Sequence, residues 1–308
     1  MKGFDIMTKL TRNDFGQLLT PVHKKIFFDS YDEKKKQYDK TFKVDTMDAK
    51  EATYPHLGAF GKWAENSEGA DFNADSISEG NIATFTAKRF DKSYDVTWEL
   101  CQDDQYNVFK GAGKGGSAQK LARGLAATEE SEAANVIIKG FSENGYDGVP
   151  LFSSAHPLIN SDDTCDNMVD GALTDETLKE ALTKMRLLKD EAGVLVAAHG
   201  DRLVVHPDWE FTARAIVGST LQAGTGNNDI NTLPHLDILV WDYLADDTEN
   251  KPWYVQDSSM DNLMFLWREK PIFDSEKIEN KMDYRFYGYC RFDCGYVDFR
   301  GLVGSKGI

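Results

Sequence analysis

Hydrophobic and polar positions repeat along this chain with two periods, and the longer one is clearest over 117–141. There Leu121, Leu125, Ala133, Ile137 and Phe141 recur four or eight residues apart, with Ala118, Ala122, Ala126 and Ala134 beside them. That spacing predicts a helix with a narrow apolar stripe, roughly 37 Å long at about 1.5 Å per residue. The other side carries Lys120, Arg123, Glu129, Glu130 and Glu132, which predicts a face turned to solvent or to another subunit. The stretch reads as a beam on which other elements are laid, with an ordinary core helix as the alternative.

The same period marks three more helices. Residues 174–192 have Thr174 as N-cap, Asp175 and Glu176 in the first turn, and a buried stripe of Leu178, Ala181, Leu182, Met185 and Leu188, with Gly193 as the stop. Residues 207–217 open on Pro207, as a helix start favours. Residues 22–38 place Ile26, Phe27 and Tyr31 on one face. With little core of its own, the arm 1–45 must pack on this chain or on a neighbouring copy.

Period two appears over 82–100, where Phe90, Tyr94, Val96, Trp98 and Leu100 share one parity, and over 282–296, where Met282, Tyr284, Phe286, Cys290, Phe292, Cys294 and Tyr296 alternate. Residues 202–206 form a short strand, and 238–241, 253–255 and 262–267 read as strands of one small sheet. Between 46 and 80, Gly58, Gly61, Gly69 and Gly80 are interleaved with Tyr54, Phe60, Trp63 and Phe72. That mixture is too aromatic for a linker and too rich in glycine for a helix. A projecting hairpin or loop fits, so 46–100 becomes an extended excursion, out and back. Residues 144–157 are turn-rich, and 159–171 and 221–236 are polar loops.

Composition narrows the function. The 308 residues are 41% hydrophobic and 28% charged, as in a soluble globular protein of one or two domains. A net charge of −16 argues against broad binding to a phosphate backbone. No apolar run is long enough to cross a membrane as a helix, and 1–16 lacks the core of a signal peptide. Four scattered cysteines predict free thiols. Cys290 and Cys294, roughly 13 Å apart on an extended strand, cannot bridge.

Catalytic signals are weak. Gly111, Gly113 and Gly116 spell G-x-G-x-x-G, but no buried strand precedes them, and Lys114 is followed by glycine, so neither a dinucleotide site nor a Walker A loop is predicted. Ser153, Ser154 and His156 suggest a nucleophile and base, yet residues this close on a turn rarely meet in that geometry and no G-x-S-x-G elbow is present. The six histidines lack metal spacing. Asp103–Asp104, Asp162–Asp163 and Asp246–Asp247 lack that of a calcium loop. No catalytic, cofactor or metal residue is expected.

The order of the pieces resembles the major capsid proteins of tailed phages, which share the α+β Johnson fold, and most nearly the Mu-like major head subunit group. The resemblance rests on Thr53-Tyr54 with Leu57-Gly58 and Phe60; on Lys88-Arg89-Phe90 leading to Asp103-Asp104; on Tyr146-Asp147-Gly148, Leu151-Phe152 and His156-Pro157; and on Asn228-Asp229-Ile230-Asn231. It covers roughly 50–240 and matches nothing in 1–45. It implies an N-terminal arm (1–45), an extended loop lying over a neighbour (46–100), a peripheral domain whose spine is the long helix (101–174), an axial domain (175–255) and returning peripheral strands (256–308). It further implies hexamers and pentamers closing into an icosahedral shell around double-stranded DNA. Scaffold, portal and decoration proteins are possible partners. The expected place is the virion, after synthesis in the host cytoplasm, with no enzymatic activity and no scaffolding domain fused in front.

Tyr54, Leu57, Phe60, Trp63 and Phe72 are the candidate intersubunit residues, because a loop without a core must bury its aromatics on something else. Two other functions remain open from sequence: an encapsulin-like shell holding cargo enzymes, and a soluble cytoplasmic hydrolase using Ser153 or Ser154 with His156.

Overall fold

Helix α1 (Asn13–Glu33) is followed by strands β1 (Lys43–Thr46), β2 (Glu51–Leu57), β3 (Glu79–Thr86) and β4 (Lys88–Val96). Helices α2 (Trp98–Asp103) and α3 (Ser117–Lys139) come next, then strands β5 (His156–Leu158) and β6 (Ser161–Cys165). Helix α4 (Asp175–Leu187), strand β7 (Arg202–Val205) and helix α5 (Glu210–Gly218) lead into β8 (Asp237–Val240) and β9 (Trp253–Gln256). The long strands β10 (Leu263–Ile278) and β11 (Asp283–Tyr296) and the short β12 (Leu302–Ser305) close the chain. This computed structural model describes residues 13–33, 35–74, 79–103, 116–159, 161–219, 231–233, 235–278, 281 and 283–307. The glycine run 111–115 and Asn228-Asp229-Ile230 lie outside them.

The chain divides into two units, each gathered from three stretches. The first takes Met1–Lys36, Lys88–Glu129 and Glu269–Phe292; the second takes Gln37–Ala87, Glu130–Arg268 and Asp293–Ile308. The division falls within α3, β10 and β11.

In the first unit, the alanines expected beside the stripe of α3 are the buried face. Ala118, Ala122 and Ala126 share a core with Phe27 and Tyr31 of α1, Val96 of β4, Phe273 of β10 and Tyr284 and Phe286 of β11. Small side chains on the helix let large rings fill the space, with Phe27 stacked on Phe273 at 4.7 Å. Strand β4 pairs antiparallel with β11, from Val96 opposite Tyr284 to Lys88 opposite Phe292. The period-two pattern expected through Leu100 stops at Val96. Thr97 Oγ1 accepts the Leu100 N–H at 3.3 Å, caps α2, and places Trp98 and Leu100 on a helix.

The second unit holds a sheet in the order β12–β9–β7–β8. Strand β9 runs antiparallel to β12 and β7, and β8 runs parallel to β7. Leu203, Val204, Val205, Trp253, Tyr254, Val255, Leu302 and Val303 are buried whatever their parity, the mark of strands covered on both faces. Helix α4 packs against β12. Its start is a reciprocal cap: Thr174 Oγ1 accepts the Thr177 N–H at 3.1 Å and Thr177 Oγ1 accepts the Thr174 N–H at 2.9 Å. It ends at Leu187, short of the expected 192, because the chain folds back through a turn in which Gly193 has φ +75° and Asp190 N–H donates to Val194 C=O. Strands β8 and β9 share this sheet as expected, but β10 does not. Its first half pairs in parallel with β1, from Lys43 opposite Met264 to Thr46 opposite Trp267. The run Leu263-Met264-Phe265-Leu266-Trp267 is wholly buried, so its sequence carries no period that would say which sheet it joins.

The acidic side of α3 is not a solvent face throughout. Lys120 and Arg123 are exposed, but Glu129 and Glu130 are 0% and 3% exposed. Within the first unit, Glu129 accepts the Tyr31 hydroxyl at 2.5 Å and the Lys36 ammonium at 3.0 Å. Within the second, Glu130 accepts the backbone N–H of Gln37 at 2.6 Å and of Tyr38 at 3.2 Å. Those two N–H groups are what a helix running to residue 38 would have needed for itself, and α1 ends at Glu33.

Candidate assembly surface

Strands β2 and β3 form an antiparallel hairpin, from Glu51 opposite Thr86 to Leu57 opposite Glu79, with the register shifting between Pro55 and Leu57. Its base is anchored. Ala83, Phe85 and Ala87 join Met47, Met264 and Leu266 in a buried cluster, and Tyr54 packs edge-on to Phe85 at 5.5 Å. His56 stacks on Tyr146 at 4.3 Å, nearly parallel, and its Nε2 meets the Val297 carbonyl. The Thr86 N–H donates to Asp293 at 2.8 Å. Gly80 runs so close to the opposite strand that a Cβ there would lie 2.6 Å from the His56 carbonyl oxygen.

Beyond the base the chain loses regular structure over 58–74 and turns its apolar side chains outward. Leu57 is 61% exposed, Phe60 54%, Trp63 98% and Phe72 100%. A small turn orders the tip: Asn66 Nδ2 donates to the Asp71 carbonyl at 2.6 Å, Ala70 N–H donates to the Ser67 carbonyl, and Gly69 adopts φ +83°. An aromatic side chain buries about 150–250 Å² when covered, worth several kcal/mol at roughly 25 cal/mol per Å². Three left open on one span make this loop the candidate surface. Of the five candidates, Tyr54 stands apart, since it is half-buried in the hairpin base.

The hydrolase geometry is absent. His156 is fully buried and faces acceptors on both sides: Nδ1 lies 2.6 Å from Asp147 Oδ2, and Nε2 lies 3.1 Å from Asn167 Oδ1 and 3.2 Å from the Leu151 carbonyl. The Asn167 orientation is set by its amide, which donates to the Leu151 and Leu302 carbonyls. No ring nitrogen is left to take a proton from serine, and Ser153 Oγ accepts the Ala155 N–H at 3.2 Å. His156 also stacks on Phe299 at 3.7 Å, so it is a core strut. Asp163 is held by Lys189 at 3.0 Å, and Asp246 by Ser131 at 2.6 Å. Among the described residues no group of three or more His, Cys, Asp or Glu could hold a metal ion, and no helix is long and apolar enough to cross a membrane.

A family model described as phage capsid protein matches residues 81–305. The chain belongs to the phage capsid protein family. No curated protein sequence matches this capsid protein, but its fold recurs in solved structures. It resembles a chain of the bacteriophage JBD30 procapsid at 17% identity, covering 96% of this chain and 76% of that one, with a TM-score of 0.50. The capsid of cyanophage P-SCSP1u matches at 11% identity over 89% and 88% of the two chains, TM-score 0.60. The mature capsid of bacteriophage PhiM1 matches at 12% over 89% and 87%, TM-score 0.58. The fold is the α+β Johnson fold of these shells, and this protein is a structural major capsid protein of the virion.

One exposed aromatic of the capsid protein escaped the sequence reading. Phe211 on α5 is 80% exposed, while Ala213 and Val217 of that helix are buried. Two residues advance a helix by about 200°, so a ring at 211 must point away from the face that Ala213 and Val217 share, and that offset was visible in the sequence.

Proposed function

We propose that this capsid protein builds the hexamers and pentamers of an icosahedral head around double-stranded DNA, and that it does so without catalysis. The observation that carries the reading is the hairpin: its base is locked into the second unit, while Phe60, Trp63 and Phe72 beyond it are left open to water. Residues 46–100 then supply the extended loop, its outward span 58–74 lying over a neighbouring copy. Residues 101–174, with α3 as spine, form the peripheral domain, joined by the returning strands of 256–308. Residues 175–255 form the axial domain, and 1–45 the N-terminal arm. The motifs from Thr53-Tyr54 to His156-Pro157 support placement in the Mu-like major head subunit group. Scaffold, portal and decoration proteins are the expected additional partners.

The test is purification followed by negative-stain microscopy and light scattering. Capsomers or closed shells are expected, and deletion of 55–80 should abolish them. A protein that stays monomeric or dimeric at high concentration, across salt conditions and with scaffold supplied, would overturn the reading. Shells that package enzymes and exclude DNA would place the protein with encapsulin-like compartments.

A further inference from the structure

One turn of the second unit joins two dipeptides that are chemically labile in water. Residues 144–148 read Asn-Gly-Tyr-Asp-Gly, and Asn144-Gly145 is the one Asn-Gly pair in the sequence. In an open chain the backbone nitrogen after an asparagine attacks the side-chain amide carbon, and a following glycine hinders that attack least. Asp-Gly pairs close the same ring. Both glycines are nonetheless demanded by the fold. Gly148 has φ +84°, where an L side chain is strained. Gly145 passes so close to Tyr296 that a Cβ would run into the tyrosine hydroxyl.

The turn holds both attacking nitrogens. Gly145 N–H donates to the Val149 carbonyl at 2.8 Å, and Gly148 N–H donates to the Gly145 carbonyl at 3.2 Å. Asn144 is bridged antiparallel to Pro150. Asp147 has Oδ2 against His156 Nδ1 at 2.6 Å, and its Oδ1 accepts the Val149 N–H at 3.3 Å. Between the two pairs, Tyr146 stacks on His56 at 4.3 Å and donates to Asp298 at 3.4 Å. All of these residues belong to the second unit. Asn144 itself is exposed, so the fixed backbone, and not burial, keeps the Gly145 nitrogen from Asn144 Cγ.

We propose that Asn144 is a modification site gated by folding: the closed turn preserves its amide, and a chain that opens the turn converts it to isoaspartate. In the open chain the Gly145 nitrogen bonds to Asn144 Cγ and the Cγ–Nδ2 bond breaks. Ammonia leaves with the Gly145 amide proton, and a succinimide ring remains. Water then opens the ring to aspartate or isoaspartate, adding one negative charge. No oxidant or other co-reactant is consumed. Isoaspartate routes the main chain through Cβ and lengthens it by one carbon at the rung opposite Pro150. That moves Gly145 off Tyr296 and Tyr146 off His56, so the converted chain does not close the turn again. Conversion is a one-way mark on chains that lost the fold or never reached it.

The test incubates the full chain in one mildly alkaline buffer, with and without guanidinium chloride, and follows residue 144 by peptide mapping. Isoaspartate should accumulate about tenfold faster or more in the unfolded sample, because the native chain reacts only while the turn is open. Hydrogen exchange should find the Gly145 amide protected in the native chain. On removal of denaturant, the refolding yield of wild type should fall in step with isoaspartate at 144. Asn144→Gln, whose longer side chain closes a larger ring slowly, should keep its yield over the same hold. Equal rates in the two samples, or an unprotected Gly145 amide, overturn the gating. Fully converted wild type that refolds as well as fresh chain overturns the one-way mark. If Asn144→Gln does not fold, the wild-type comparisons still decide, and no outcome depends on whether shells form.

Discussion

The buried indole N–H of Trp241 donates to a carboxylate oxygen of Glu130 at 2.9 Å. The same carboxylate takes the backbone N–H groups of Gln37 and Tyr38, so three donors without formal charge meet on one buried glutamate. Glu130→Ala should leave all three unpaired and cost about 3 kcal/mol or more, since each stranded buried donor costs about 1–3 kcal/mol. Glu130→Gln keeps one acceptor oxygen and should cost about half as much. Urea denaturation of the subunit measures both. An alanine variant as stable as wild type would show that the carboxylate does not organise this junction.

His156→Ala should remove a strut. The ring is fully buried, bonded to Asp147 and stacked on Phe299, so its loss creates a cavity and removes a hydrogen bond from Asp147, costing about 3–5 kcal/mol. Ser153→Ala touches only the Ala155 N–H and should change stability by less than about 1 kcal/mol. A hydrolytic activity lost in both variants would contradict the structural role.

Stability should fall on mild acidification. Burial holds the His206 imidazole below its ordinary value, and Nδ1 accepts the Asp208 N–H at the start of the 3-10 turn Pro207–Trp209. The unfolded chain binds its proton near pH 6.5 and the folded chain only at lower pH. Stability is therefore lost as pH drops below about 6.5, and this loss stops once the folded histidine also titrates. Denaturation midpoints at pH 7.5 and 5.5 should differ less in His206→Asn than in wild type. An equal difference would assign the acid sensitivity to other groups.

Trp63→Ala and Tyr54→Ala should fail in different ways. Trp63 is almost wholly exposed, so its removal should leave subunit stability within about 0.5 kcal/mol while lowering shell yield. Tyr54 meets Phe85 edge-on in the hairpin base, and its removal should lower stability by about 1–2 kcal/mol. Calorimetry on subunits, paired with shell yield, separates the two. A stability loss in Trp63→Ala would mean the loop packs on its own subunit.

Periodicity recovered what one surface of one element can encode. The α3 helix, the Thr174 cap and the alternation of Tyr284, Phe286, Cys290 and Phe292 were all legible, because each depends on neighbours a few residues away. The run 263–267 was legible as a strand but not as a member of its sheet, since a wholly buried strand shows no face. Glu129 and Glu130 were misread for a related reason. A charged pair on a helix usually means water, but Tyr31, Lys36, Gln37, Tyr38 and Trp241, distant in sequence, turn these two into buried acceptors. For the candidate surface, glycines among aromatics at 54–72 predicted a projecting loop, and Phe60, Trp63 and Phe72 are exposed on it.

The interleaving of the two units sets a timetable for synthesis. The first unit includes Glu269–Phe292 and the second includes Asp293–Ile308, so neither is complete until the residues after 268 have been made. A product truncated before residue 269 would lack strand segments of both units and should be open to proteases. The order of the segments thus couples the two units: each waits for residues near the end of this stretch before its own strands can all be paired.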